Sequence, residues 1–336
     1  MEGTVKSSSN LITDSLSRAS PESIRKTVKQ IWAVGGGKGG VGKSLISSSL
    51  AIALSRLGKN VIAVDLDLGG ANLHTALGMD PPKQTLNDYF SRRVHSIDEC
   101  VISSGMPHLG VISGAQDSTG ITNILEPQKI DFLHSVRNLN ADYLIFDLGA
   151  GTSFNTLDFF ISADVGLITL LPEPTSIENS YRFIKSAYYR YLWLSKDLKE
   201  VRPLIEMAMD SKNSAGIKSP ADLFREVNKA SPEAGILLKR EIEKFSPGLI
   251  VNQTRTQTDI DIGSSVKTVS KKYFGIEMNY LGHLEYDSAV WQAIRRKRPL
   301  LLEFPNSKLV SNIMQIAEKI IKNHSFQKST LNHALD

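Results

Sequence analysis

Short apolar runs alternate with amphipathic stretches from Ile31 onward, and this alternation dominates the chain. Ile31–Val34, Val61–Val64, Leu109–Ser113, Tyr143–Phe146, Val165–Leu171 and Leu249–Val251 are rich in Val, Ile and Leu. Continuous apolar runs of that length predict strands buried on both faces. Ser44–Leu57, closed by Gly58, and Ile177–Leu194 carry apolar residues at helical spacing. They read as helices, the first stopped by a glycine. Strands alternating with helices imply parallel βαβ units. The expected fold is therefore α/β, a doubly wound, mostly parallel sheet with flanking helices. No internal repeat is evident.

The alternation fails in one place. Between Lys196 and Ser246 no strand run appears, while Ser219-Pro220 and Ser231-Pro232 each offer a cap followed by proline at the first helical position. A helical insertion over about 197–246 is expected there. The alternation resumes near Tyr280-Leu281, and an amphipathic helix over Leu309–Lys322 ends the pattern. Ser20-Pro21-Glu22 gives one more helix start behind a polar stretch. The expected organisation is an N-terminal arm with a short helix over 1–29, one domain over 30–322 and a polar tail over 323–336.

Composition narrows the class. With 336 residues, 41% hydrophobic and 22% charged, the chain has the make-up of a globular protein with a full core. A net charge of +4 permits an anionic partner without demanding one, since nucleic-acid domains concentrate their charge. Cys100 is the only cysteine, which excludes an internal disulfide, a CxxC pair and a cysteine-rich metal site within one chain. Met1–Gln30 is polar and Ser-rich, unlike a secretory signal. No stretch approaches the roughly 20 apolar residues of a membrane span. A cytoplasmic protein is expected.

The strongest chemical signal is Gly37-Lys38-Gly39-Gly40-Val41-Gly42-Lys43-Ser44, a complete GxxxxGK[ST] motif between an expected strand and an expected helix. Its glycines let backbone N–H groups wrap phosphates at the helix N-terminus. Lys43 is placed to neutralise the β and γ phosphates, and Ser44 to ligate Mg²⁺. The nucleotide stretch is taken to run from Gly37 through Leu45. ATP and Mg²⁺ are the expected cofactors, and ATP hydrolysis the expected activity. Two further strands end in acid, Asp65 and Asp67 after one and Asp147 after the other, on the edge where such sheets bind ligands. Asp147 is suited to organise the metal. Asp65 or Asp67 is placed to orient the attacking water; the working assignment gives that role to Asp67 and puts Asp65 with Ser44 and Asp147 around Mg²⁺.

A second lysine, Lys38, makes Lys-Gly-Gly-Val-Gly-Lys-Ser similar to the deviant Walker A box of the MinD/ParA ATPases. Asp65-Leu66-Asp67-Leu68-Gly69-Gly70-Ala71-Asn72-Leu73 resembles the switch I segment of the MinD branch, and Asp147-Leu148-Gly149-Ala150-Gly151 its switch II. Pro172-Glu173-Pro174-Thr175-Ser176 and Tyr181 are similar to the matching stretch of the flagellar-number regulators FlhG/FleN. The resemblance covers about 31–185 and 248–322. It implies a P-loop NTPase that dimerises with ATP, with Lys38 reaching the partner's phosphates, and an adenine-reading role for Asn252. It further implies a molecular switch that regulates the positioning or number of a cellular structure, through a protein partner. The arm lacks the Asp-Gln-Ala-type activation motif of FlhG, and the insertion exceeds the family core.

Other readings remain. A ParA-like DNA-partition ATPase needs a distributed basic surface, and a biosynthetic ATP-dependent ligase needs a second substrate site. A metal-cluster carrier on this fold uses paired cysteines, which one cysteine does not supply. Leu309, Ile313, Ile316 and Ile320 share one helix face; sheet packing is expected over a membrane-surface anchor. Arg295–Arg298 reads as a solvated helix end rather than a DNA or lipid contact. Tyr181, Tyr188, Tyr189, Tyr191 and Trp193 read as packing residues. The insertion is the candidate partner surface.

Overall fold

The computed structural model describes residues 28–114, 124–210, 216–217 and 219–323. The helix start at Ser20-Pro21-Glu22 and the tail from His324 onward lie outside them. Eight strands form one sheet: β1 (Gln30–Gly35), β2 (Val61–Leu66), β3 (Ile102–Ser103), β4 (Leu109–Ile112), β5 (Tyr143–Leu148), β6 (Val165–Leu170), β7 (Gly248–Thr254) and β8 (Asn279–Glu285). Their order is β3-β4-β2-β5-β1-β6-β7-β8, and only β3 runs antiparallel. The fold is the expected doubly wound, mostly parallel α/β sheet. Every expected strand is present. The two-residue β3, too short to leave a hydrophobic period, is an addition.

Successive side chains of a strand point to opposite faces, and here both faces are covered. Ile31 and Ala33 of β1 belong to one core, while Trp32 and Val34 belong to the other. The second core lies under α1 (Lys43–Arg56) and α2 (Leu73–Ala76). The first holds α3 (Leu86–Phe90), α4 (Glu126–Arg137), α5 (Phe154–Ser162) and α6 (Pro174–Leu194). Tyr188 and Tyr189 of α6 are fully buried and Tyr191 nearly so, which makes these aromatics core residues. Proline opens α6 at its first position, three residues before the apolar period begins.

The insertion comprises a 3-10 turn over Lys196–Val201, then α7 (Arg202–Met209), α8 (Pro220–Ala230) and α9 (Pro232–Lys244). Ser219 and Ser231 cap α8 and α9 as their Ser-Pro pairs imply. The segment is no loose appendage. Leu198, Val201, Ile205, Leu223, Val227 and Leu238 are buried in the same core as β5 and α6. The Tyr191 hydroxyl donates to Glu241 of α9 at 2.9 Å.

Beyond β7 the chain forms α10 (Gln257–Phe274), α11 (Ser288–Arg295), α12 (Leu300–Glu303) and α13 (Lys308–Lys322). Leu309, Ile313, Ile316 and Ile320 of α13 are buried against the α1 side of the sheet. That apolar stripe is spent on packing. No helix among the described residues is long and apolar enough to cross a membrane. The basic run also has internal partners: Arg296 and Arg298 pair with Glu303, and Arg295 stacks on Trp291.

Candidate functional site

The carboxyl ends of β1, β2, β5, β6 and β7 converge on one edge of the sheet. The loop after β1 enters α1 through Gly42, whose φ of +91° is in the region that favours glycine. A Cβ on Gly42 would fall 2.3 Å from the Asn252 amide nitrogen, and one on Gly37 only 2.0 Å from the Asn179 carbonyl. Two elements thus clamp the loop, β7 on one side and α6 on the other. Gly39 and Gly40 meet nothing and leave the loop's outer face open. No side chain caps α1 and no acid stands in its first turn. The N–H groups of a helix start, with their positive end of the helix dipole, therefore face open space. That is an anion site.

Lys43 is buried, and burial lowers its pKa while the Coulombic pull of Asp147 and then Asp67 opposes the shift. The lysine is therefore a desolvated cation facing two acids. Asp147 is almost fully buried and accepts from the Ser47 hydroxyl at 2.9 Å, and Ser44 also bonds it. Ser47 was not foreseen. It lies three residues beyond Ser44, one helical turn along the same face of α1, and that spacing was the available signal.

Asp65 and Asp147 are register partners on adjacent strands, both without solvent. Desolvation raises both pKa values, and for Asp65 the charge of Asp147 raises it further. Two buried neighbouring carboxyl groups are costly to ionise together. A divalent cation beside them would remove that penalty, so the donor set fits Mg²⁺. Ser44 and Asp147, with Asp65 beside them, are the residues that would hold it.

The structure gives Asp65 a bracing task as well. One carboxylate oxygen accepts from Asp67 N and the other from Leu73 N, each at 3.0 Å. Asp65 thereby folds the segment 67–73 into a compact loop and fixes the base of Asp67. Asp67 remains half-buried and points toward Gly70 and Gly149. The segment after β5 reaches the phosphate loop directly, with Gly151 N donating to Gly36 O at 3.3 Å.

Asn252 also braces the phosphate loop. Its amide nitrogen donates to Val41 O at 2.8 Å and its oxygen accepts from Gln253 N at 2.9 Å. The side chain is thus a strut behind the loop, and its second N–H and second lone pair stay open to a ligand. Leu45 lines an adjoining cleft together with Gly40 and Gly42. Lys38 lies on the rim, 38% exposed, with Nζ 3.3 Å from Glu173 Oε2 and 3.2 Å from Thr175 Oγ1. Cys100 is fully buried with its thiol pKa pushed up to about 11, chiefly by burial, and is no ligand for a metal cluster.

A family model described as ParA, NUBPL iron-transfer P-loop NTPase, matches residues 27–185. The antiactivator FleN of Pseudomonas aeruginosa is 27% identical over 295 residues, 87% of this chain and 86% of that protein. The flagellum site-determining protein YlxH of Helicobacter pylori is 26% identical over 291 residues, 86% of this chain and 81% of that one. Among solved structures, the septum site-determining protein MinD of Pyrococcus horikoshii, complexed with Mg-ADP, superposes with a TM-score of 0.60 at 19% identity, over 87% of this chain and 96% of that one. Motif, strand order and the long matches agree: residues 27–185 match the ParA model of P-loop NTPases, and most of the chain is similar to the flagellar antiactivator and site-determining proteins and shares the MinD fold.

Proposed function

We propose that this protein is an ATP-hydrolysing switch that pairs with a second copy around Mg-ATP and regulates the placement or number of a flagellum-type structure. The observation that carries the reading is the convergence of Lys43, the Ser44–Asp147–Ser47 cluster and Asp67 on one uncapped helix start. Lys43 neutralises the phosphates of its own chain's nucleotide, and the open N–H groups of α1 complete the cradle. A bound Mg²⁺ supplies further charge neutralisation between the β and γ phosphates. Asp67, held at its base by Asp65, positions the attacking water. The complex of a MinD relative with Mg-ADP supports the choice of nucleotide and metal.

Lys38 points away from the phosphate cradle on the same loop. A cation at the rim serves a facing subunit, and charge delivered in trans couples γ-phosphate binding to assembly. The flagellar and antiactivator names of two long matches support the process, and their 81–86% coverage supports carrying the whole-chain reading across. The partner face is placed on the insertion, where Met207, Phe224 and Ile236 are exposed. A cytoplasmic location follows from this reading.

Sedimentation of the full chain tests the core of the proposal. With Asp67→Ala to prevent hydrolysis, Mg-ATP should produce a dimer and Mg-ADP should not. A monomer under both conditions, with ATP demonstrably bound, would refute the switch.

A further inference from the structure

Ser47, Ser48 and Ser49 follow one another in the interior of α1, and all are buried. Serine is a poorer helix former than alanine. Inside a helix its hydroxyl ordinarily returns to a carbonyl of the preceding turn or faces water. Ser48 keeps to that habit and donates to Leu45 O at 3.0 Å. Ser47 does not. Its hydroxyl leaves the helix and donates to Asp147 Oδ1 on β5 at 2.9 Å, with both side chains closed to solvent. The phosphate motif ends at Ser44 and does not ask for a hydroxyl three residues later.

What the bond acts on is a carboxylate with little else to fix its orientation. The torsion that turns an Asp carboxyl group is broad, without the sharp staggered wells of other side-chain bonds. Asp65 repels Asp147 from the adjacent strand, while Lys43 attracts it. Ser44 bonds the same carboxylate, but its oxygen is the one placed for the metal. Ser47 lies one helical turn further along α1, so its bond to Asp147 does not depend on what Ser44 ligates.

We propose that Ser47 is a positioning residue for Mg²⁺: it fixes one oxygen of Asp147 and leaves the other free for the cation. The inference rests on the Mg-ATP reading above and deepens it. A carboxylate already held from behind has less orientational freedom to lose when the metal arrives. Hydrogen-bond partners of that kind are typically worth roughly 10- to 100-fold in metal affinity. The effect belongs to the metal, and the phosphate cradle built by Lys43 and the start of α1 does not need it.

Calorimetry of ADP on the full chain, once in EDTA and once with saturating Mg²⁺, gives the factor by which the metal strengthens nucleotide binding. In Ser47→Ala that factor should fall roughly 10- to 100-fold, while ADP in EDTA binds as it does to the parent. Ser48→Ala removes an equally buried hydroxyl one residue away and should keep the parental factor. Alanine favours the helix at both positions, and thermal melts check that each variant is folded. A purely structural Ser47 would lower the melting temperature, or weaken ADP equally with and without metal. Either result with an unchanged factor overturns the assignment. So would an equal fall in Ser48→Ala, because the effect would not act through Asp147. A parent protein whose ADP affinity does not respond to Mg²⁺ would instead sink the Mg-ATP reading itself.

Discussion

Lys38 Nζ lies 3.3 Å from Glu173 Oε2, so the early lysine of the phosphate loop rests on α6 of its own chain. The pair is exposed, 38% at the lysine and 54% at the glutamate. Exposed ion pairs contribute about 0–1 kcal/mol, which is too little to lock the lysine in cis. Glu173 is a resting place from which Lys38 can leave. In an Asp67→Ala background, Lys38→Ala should bind Mg-ATP yet stay monomeric, whereas Glu173→Ala should change the dimerisation constant by no more than about fivefold. Analytical ultracentrifugation with ATP and with ADP reads both. If the lysine variant dimerises as readily as its parent, the sandwich arrangement is wrong.

Lys43→Ala should abolish Mg-ATP binding. This side chain is buried between the loop and Asp147, and no second internal cation stands at that position among the described residues. Without it, backbone dipoles alone face several negative charges beside buried acids. Calorimetry gives the answer, and near-parental affinity would mean that the lysine does not face phosphate.

Asp67→Ala should bind nucleotide normally and hydrolyse it slowly. Its carboxylate makes no contact that supports the loop; Asp65 does that work through the backbone of residues 67 and 73. Loss of one group that positions water or a proton costs on the order of 10²–10⁴ in rate. Steady-state phosphate release at saturating ATP is the measurement. Unchanged turnover would move the role to the segment after β5.

Much of this architecture was legible because buried parallel strands leave continuous apolar runs. The runs stop at Val64, Phe146 and Val251, yet the strands continue through Asp65, Asp147 and Asn252. The sequence pattern ends two residues early in β2 and β5 and three early in β7, because a polar side chain occupies a buried strand position at each break. Those are also the residues that build the site. What could not be read was which atoms each polar residue spends on its neighbours. Asp65 and Asn252 carry the right chemistry for ligand contact, but their hydrogen bonds go to backbone. Ser47 gains significance only from what the fold brings beside it. The insertion was legible as helices, and its union with the main core was not, since a buried helix face does not name the surface it covers.

Removing the insertion should therefore cost the fold. Leu238 is fully buried in the core shared with α6, and Tyr188 and Tyr189 are completely enclosed there. Leu238→Ala should destabilise the protein by about 2–5 kcal/mol in urea unfolding while leaving Mg-ADP affinity unchanged in the folded state. A loss below 1 kcal/mol, on the order of a surface substitution, would show that α9 packs loosely and could be removed.

The paired carboxyl groups of Asp65 and Asp147 predict an unusual pH dependence. Both have folded-state pKa values raised above the ordinary 3.8, first by burial and, for Asp65, next by the other's charge. A raised acid pKa means that the folded state holds protons the unfolded chain has released. The associated stability is complete below the ordinary value and is lost as pH rises through the raised ones. The nucleotide-free protein should lose this contribution progressively between about pH 4 and pH 8. Asp65→Asn removes one titrating group and the charge that opposes ionisation of Asp147, so its profile should be flatter. Lys43, with its own lowered pKa, is common to both proteins and drops out of the difference. Thermal melts across that range, without nucleotide, should show the two stability curves converging or crossing as pH rises. Mg-ADP should stabilise the parent more at the alkaline end, where the metal relieves the repulsion between ionised acids. Parallel curves for the parent and Asp65→Asn would mean that the two carboxyl groups are not held against ionisation, and that the site is wetter than its burial implies.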